Sequence, residues 1–422
     1  MGAVFILADC NNFYVSCERA FDPTLEEKPV VVLSNNDGCA VSRSQEAKDL
    51  AIRAGVPLFQ IEQLAGAHDV RLFSSNYALY GDMSQRVMTV FREFTPEVEV
   101  YSIDEAFMNV AGITCESYQA LGQEIRERVY QCTGIPVTIG IAETKTLAKV
   151  ANHIAKKSAK ADGVLDLTHS KYQEEALRRM PVGEVWGIGP AYAKLLKERG
   201  ITTALQLRDV DTLWARKAMT VVGARIVMEL RGVSCLPLEL CPRPRKSVTI
   251  SRAFPASIEN LAEIREAVAV FTTRAAEKLR RDQLAASAIT VFIETSRFVQ
   301  GPQYYANTAT LEMIYPSDNT QELLRHALEA LGRIFRQGFE YRRAGVLLNG
   351  LVPADECTGR LFDSETLEKY RRLMPVMDRL NAKYGRNTVR FGVARPDGRW
   401  RTKAARRSPR YTTRLAEIPL VS

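Results

Sequence analysis

Cysteine is sparse and scattered: the chain has eight in 422 residues, and no two form a Cys-x-x-Cys pair. Such spacing argues against a zinc site and a disulfide framework and favours a reducing cytosol. The four histidines stand apart from one another and from any cysteine, which gives imidazole little role as a ligand. No apolar run approaches the roughly 18 residues of a membrane-crossing helix, so no membrane partner is expected. The N-terminus has no basic stretch ahead of its apolar run and no small-residue cleavage site. Residues 3–8 therefore read as a core strand rather than a signal peptide, and the expected location is cytoplasmic.

Hydrophobic residues at 46% and charged residues at 25% describe an ordinary globular protein, long enough for about three domains. Net charge is +8. From Pro353 to Ser422 there are 16 basic and 8 acidic residues, which leaves 41 of each sign for the preceding 352. The whole excess lies in the last sixth of the chain. A solvated tail is the commoner meaning of such a run, and a polyanion, most often nucleic acid, is the functional one.

The chemistry concentrates in two apolar stretches that end in acids. Val98-Glu99-Val100-Tyr101 leads through Ser102-Ile103 to Asp104-Glu105, and Phe5-Ile6-Leu7-Ala8 leads to Asp9. Adjacent residues in a strand face opposite ways, so Asp104 and Glu105 share a target only at a turn or strand end. Three carboxylates at strand ends suit a hard divalent cation, which takes oxygen ligands. A lone Asp-Glu pair more often just ends a strand in solvent, so the reading depends on its surroundings.

Along the chain, residues 34–72 read as an insertion between strands, opened by the turn Ser34-Asn35-Asn36-Asp37-Gly38. Apolar spacing over 76–95 predicts a helix packed on the sheet, and helices follow near 117–133 and from Thr144 to Lys157. Alternating strands and helices predict a sheet covered by helices on one side. Gly187-Ile188-Gly189-Pro190 fits a helix–hairpin–helix whose glycines admit a phosphate, although a lone Gly-x-Gly is usually an ordinary loop. Residues 236–246 read as a linker. A β-α-β-β-α-β order over 247–351 predicts a separate domain. From Arg390 to Arg414 there are nine basic residues and one acid, with Phe391, Trp400 and Tyr411 nearby, as in nucleic-acid-binding segments. Much of this tail is expected to be poorly ordered without a partner.

Taken in order, these stretches resemble the Y-family translesion DNA polymerases of the UmuC type. The resemblance covers nearly the whole length. It rests on the Asp9 strand with Asn12-Phe13-Tyr14, on 31–39, Phe73-Ser74-Ser75-Asn76-Tyr77, 101–107, 141–149, Trp186-Gly187-Ile188-Gly189 and Ser408-Pro409-Arg410-Tyr411-Thr412-Thr413. It implies a multidomain α+β right hand with a ferredoxin-like palm (1–33 and 73–169), small fingers (34–72) and a helix–hairpin–helix thumb (170–235). Beyond the linker it implies a little finger (247–351) and a C-terminal region for partners (352–422). Asp9, Asp104, Glu105 and the Cys10 carbonyl would hold two Mg²⁺. Phe13, Tyr14, Ser42, Lys48 and Lys156 would meet the nucleotide, Tyr14 as the steric gate against a ribose 2′-OH. On residues alone, Tyr14 is a core tyrosine and both lysines are surface lysines, and Lys157 is interchangeable with Lys156. Gly187 and Gly189 would meet DNA. The implied partners are primer-template DNA, dNTPs, a processed UmuD-type dimer, RecA and, through Leu361 and Phe362, the sliding clamp.

The chain also departs from the family pattern. Gln45 stands where many relatives have a triphosphate-binding Tyr, Lys48 where many have Arg, and Thr358 where the clamp peptide usually begins with Gln. Three rival readings fit parts of the sequence: a palm-type nucleotidyl cyclase, a phosphohydrolase with Asp9 as nucleophile, and a catalytically silent DNA-binding scaffold. The cyclase would not need the hairpin motif, a second α+β domain or a basic tail, and Asn11 sits where the hydrolase would want an acid.

Overall fold

A computed structural model describes residues 2–241, 243–298, 301–356, 365–395 and 397–418. The chain divides into two compact units, residues 1–242 with 405–422, and residues 243–404.

The first unit holds eight strands: β1 (Phe5–Cys10), β2 (Val30–Leu33), β3 (Ala40–Arg43), β4 (Arg71–Ser74), β5 (Val98–Val100), β6 (Glu105–Asn109), β7 (Val137–Ala142) and β8 (Val164–Asp166). The main sheet has the order β5-β6-β1-β7-β8, with β1 antiparallel to both neighbours. Alternation along β1 sends Ile6 and Ala8 to one face and Phe5 and Leu7 to the other. Both faces are covered, in contrast to the one-sided cover that strand–helix alternation suggests. Helices Tyr77–Phe94 and Tyr118–Thr133 pack on the first face and Lys145–Lys157 on the second. Gly140 permits that second contact, because a Cβ there would meet Asn152 N at 2.2 Å and Ala148 O at 2.3 Å.

A small sheet, β3-β2-β4, carries the inserted segment. It takes in β2 and β4, so it extends past the 34–72 boundary read from sequence. All of β2 is buried, with Val30 and Val32 entering the core of the main sheet and Val31 and Leu33 the core of the small sheet. The boundary therefore runs through the strand itself. Helices from Gln173–Arg179 to Thr212–Leu230 form the thumb-like bundle. The 236–242 part of the expected linker folds with this unit, where buried Glu229 accepts amides from Cys235 at 2.6 Å and Leu236 at 3.2 Å.

The second unit has the expected β-α-β-β-α-β order: β9 (Ser247–Ile258), helix Leu261–Arg281, β10 (Leu284–Thr295), β11 (Ala306–Ser317), helix Thr320–Ile334 and β12 (Tyr341–Pro353). Its sheet, β11-β10-β12-β9, is antiparallel throughout. Helix Glu365–Tyr384 joins it through Asp378, whose carboxylate takes a fork from Arg280 at 2.6 and 2.9 Å.

The basic tail is divided between the two units and places an aromatic ring against each. Trp400 is buried in the second core, edge-on to Phe271 at 5.6 Å. Tyr411 stacks on Phe21 of the first unit at 4.8 Å. These rings therefore cover apolar surface of the chain itself, which pays better than waiting in water for a base to stack on.

Candidate active site

The register between β1 and β6 sets Asp9 directly opposite Glu105. Both belong to the face that carries Phe5, Leu7 and Phe107, beneath helix Lys145–Lys157. The helix answers with two cations. Lys156 Nζ lies 2.6 Å from Asp9 Oδ2, and Lys149 Nζ lies 2.8 Å from Glu105 Oε1. Asp104 sits one residue before β6, where its carbonyl accepts the Cys10 amide at 2.8 Å. Ser102 builds this strand end. Its hydroxyl donates to Asp104 Oδ1 at 2.5 Å and accepts the amides of Asp104 at 3.2 Å and Glu105 at 3.0 Å.

Burial holds the Asp9 carboxyl up to about 6, against the downward pull of Lys156; Glu105 across the ladder adds to the rise. Burial likewise pushes the Cys10 thiol up, with Asp9 and Asp104 reinforcing it. Among the described residues, no group of three or more His, Cys, Asp or Glu side chains is gathered as a metal cluster. Two lysines and a serine hold the three carboxylates instead. The donor set still fits divalent ions, because carboxylate oxygens at converging strand ends already face point cations, in the form of ammonium groups.

The turn after β1 joins this site to the small sheet. Asn12 adopts a left-handed conformation (φ 48°). Its carbonyl accepts Ser42 Oγ at 3.2 Å and its side-chain oxygen accepts Lys48 Nζ at 2.7 Å. Burial, then Arg43 and Lys156, lower the Lys48 ammonium, so these cations face shared space. Gln45, on the short Gln45–Asp49 helix, donates to Asp49 at 2.8 Å. Tyr14 is half-buried and stacks on Tyr80 at 4.3 Å, while Phe13 is 3% exposed and packs behind it. Phe13 therefore sits in the core of the main sheet rather than in open space.

Just before helix Pro190–Glu198, Gly187 has φ +89°, and a Cβ there would meet Ile226 Cδ1 at 2.7 Å. Gly189 caps helix Pro190–Glu198, and a Cβ added to it would meet nothing within 4 Å. Leu361 and Phe362 lie outside the described residues.

Sequence reasoning missed Lys149, Ser102 and Trp186 as parts of the site. Trp186 Nε1 donates to the Tyr101 hydroxyl at 3.0 Å, and the Lys149 ammonium lies 4.6 Å from the Tyr101 ring centre. A signal for the lysines was present. Lys145, Lys149 and Lys156 fall at i, i+4 and i+11, on one face of a helix. Lys145 pairs with Glu99 and donates to the Pro237 carbonyl at 2.9 Å.

Residues 8–153 match the model of the impB/mucB/samB family, residues 245–361 its C-terminal domain, and residues 371–421 a domain of unknown function. The chain is 42% identical to the protein UmuC of Salmonella typhimurium over 98% of its own length and 99% of that protein. It is 42% identical to SamB of the same organism, covering 99% of each. It is 28% identical to DNA polymerase IV of Desulfatibacillum aliphaticivorans over 92% of this chain and 95% of that one. Among solved structures, a Y-family polymerase chimera of Dbh and Dpo4 aligns with a TM-score of 0.65 at 23% identity, covering 83% of this chain and 99% of that one, a likeness of fold. With residues 8–153 and 245–361 matched to the impB/mucB/samB models and 42% identity to UmuC over 98% of its length, the chain belongs to the impB/mucB/samB family of UmuC-type Y-family DNA polymerases.

Proposed function

We propose that the chain performs template-directed, error-prone DNA synthesis across damaged template as part of an SOS response, with Asp9, Asp104 and Glu105 as the catalytic carboxylates. The observation that carries the assignment is the cross-strand pairing of Asp9 with Glu105, with Asp104 at the adjoining strand end. Family membership implies dependence on a divalent metal. Two Mg²⁺ held by these carboxylates and the Cys10 carbonyl are our finer reading. Such ions supply activation of the primer 3′-hydroxyl and neutralisation of charge on the phosphates. The chain's own part is positioning and electrostatics. Asp9, Asp104 and Glu105 would hold the ions, and Lys156 and Lys149 lie on the one helix that faces these carboxylates, beside where the triphosphate would enter. Lys48 and Ser42 approach from the fingers, and Tyr14, backed by Phe13, faces the sugar.

The domain assignment is proposed with the palm–fingers boundary drawn through β2 and β4. Gly187 and Gly189 are proposed to admit DNA phosphates at a helix start. The substrates are primer-template DNA and dNTPs. The likeness to UmuC supports a UmuD-type dimer and RecA as partners, and Leu361-Phe362 supports the sliding clamp. No helix among the described residues is long and apolar enough to cross a membrane, in keeping with a cytoplasmic site of action.

The test is primer extension with Mg²⁺ on undamaged and abasic templates, comparing wild type with Asp104→Ala and supplying the UmuD-type dimer and RecA. Extension by wild type only, with DNA binding kept by both, is expected. DNA binding without extension by either protein would support the scaffold. Primer-independent release of pyrophosphate would support the cyclase.

A further inference from the structure

We propose that the C-terminal segment around Ser408 is a working part of the nucleotide pocket, and that Ser408 is a positioning residue for the Tyr14 gate. The inference rests on the reading of Tyr14 as the residue that faces the sugar. It gives a role to part of a segment that the family models match as a domain of unknown function.

The argument follows one chain of contacts. Tyr14 and Glu18 lie four residues apart on helix Phe13–Arg19, hence on one face. Tyr80, fully buried, touches both. Its ring lies over Tyr14 at 4.3 Å and an interplanar angle of 14°, and its hydroxyl donates to Glu18 Oε1 at 2.6 Å. The same carboxylate oxygen accepts Ser408 Oγ at 3.0 Å. Glu18 is 2% exposed, and no basic side chain pairs with it among the described contacts. A buried carboxylate depends on its donors, and here one is the gate's backing ring and the other comes from the tail.

The tail is fixed in turn. Asn76 caps the helix that carries Tyr80, and its amide donates to Ser408 Oγ at 3.0 Å, Ser408 O at 3.1 Å and Pro409 O at 3.0 Å. Upstream, the Ser74 amide at the end of β4 donates to Arg406 O at 3.0 Å, the Arg406 amide donates to Ser74 Oγ at 2.9 Å, and the Arg406 guanidinium meets Glu62 of the fingers at 2.9 Å. The Ala405 amide donates to Asp37 at 3.2 Å. Downstream, Tyr411 stacks on Phe21 just past the gate helix. One strap thus joins the fingers, the helix under Tyr80 and the carboxylate below the gate.

Loss of the Ser408 hydroxyl leaves Glu18 with one donor fewer and Asn76 with one acceptor fewer. The Tyr80 hydroxyl is then the main group answering Glu18, and the ring that fixes Tyr14 loses its set position. The expected signature is a change in sugar discrimination, beyond any general loss of stability.

The experiment is single-turnover extension by the full chain on primer-template, with dNTP and rNTP, for wild type, Tyr14→Ala, Ser408→Ala, Ser408→Thr and Arg414→Ala. Ser408→Ala should raise the ribonucleotide-to-deoxynucleotide ratio of kcat/KM by about threefold to tenfold, the scale of one ordinary hydrogen bond. The change should appear mainly in KM, with DNA affinity kept. Ser408→Thr, which keeps the hydroxyl, should restore the ratio. Arg414→Ala, in the same segment but with its guanidinium on half-buried Glu417 rather than on Glu18 or Asn76, should not move it. If Tyr14→Ala shifts the ratio and Ser408→Ala does not, the gate reading stands and the strap inference is overturned. If Tyr14→Ala shifts nothing, the gate reading fails and the inference falls with it. Should Ser408→Ala fail to fold, Tyr411→Leu loosens the strap outside the carboxylate network and is read by the same criterion.

Discussion

Asp9 is expected to make the native protein less stable at neutral pH than an uncharged residue of the same shape would. Its carboxyl is pushed from 3.8 up to about 6, chiefly by burial. A raised carboxylate pKa means that the native state holds the proton more tightly than the unfolded chain does. Stability from the protonated group is complete below about pH 4 and is lost as pH rises through about 6. The gap of about two units corresponds to about 3 kcal/mol at pH 8. Asp9→Asn removes that penalty and leaves Lys156, itself part-exposed, to solvent. The variant should therefore be more stable than wild type by up to about 3 kcal/mol at pH 8 and by less than about 1 kcal/mol at pH 4. Primer extension should be abolished. Urea midpoints of both proteins in EDTA across pH 4–8 measure the difference, with the transition of the palm followed separately because two units need not unfold together. Equal stability at pH 8, or a gap that does not change with pH, would refute the electrostatic account of the site.

Other expectations follow from single contacts. Gly140→Ala should cost about 3 kcal/mol or more, since the added methyl would fall 2.2 Å from Asn152 N and the facing helix would have to move; urea unfolding measures the loss. Ser102→Ala removes a donor to Asp104 and the acceptor for two amides. It should lower kcat about tenfold, with DNA affinity unchanged in a gel-shift assay. Gln45→Tyr replaces a side chain now engaged with Asp49 and should lower the KM for dNTP; an unchanged KM would count against weak nucleotide binding at that position.

Much of the carboxylate site was legible because it is local. Each acid ends its own apolar run, and strand periodicity fixes which neighbours share a face. The pairing of Asp9 with Glu105 required knowing that β6 lies beside β1, which the resemblance implied and local pattern alone does not. The lysines were harder still. Their spacing shows a common face on one helix, but Lys149 meets Glu105 and Lys156 meets Asp9 only once Gly140 lets that helix lie close on β7.

The tail shows where such reading stops. Its charge and its aromatic residues suggested a disordered nucleic-acid-binding segment, and composition measures how strongly a segment attracts a polyanion. It does not say which surface the segment meets first. Trp400 finds Phe271, Tyr411 finds Phe21, and Ser408 finds the buried Glu18. Each partner is far away in sequence and none carries a pattern that points to the tail. In the sequence, Glu18 is one polar residue among several on a short helix. It needs an outside donor only because Tyr80 and the surrounding core exclude water from it, and that exclusion is a property of the assembled palm. The segment with the largest excess of charge is thus held in part through uncharged contacts, while its arginines remain mostly at the surface.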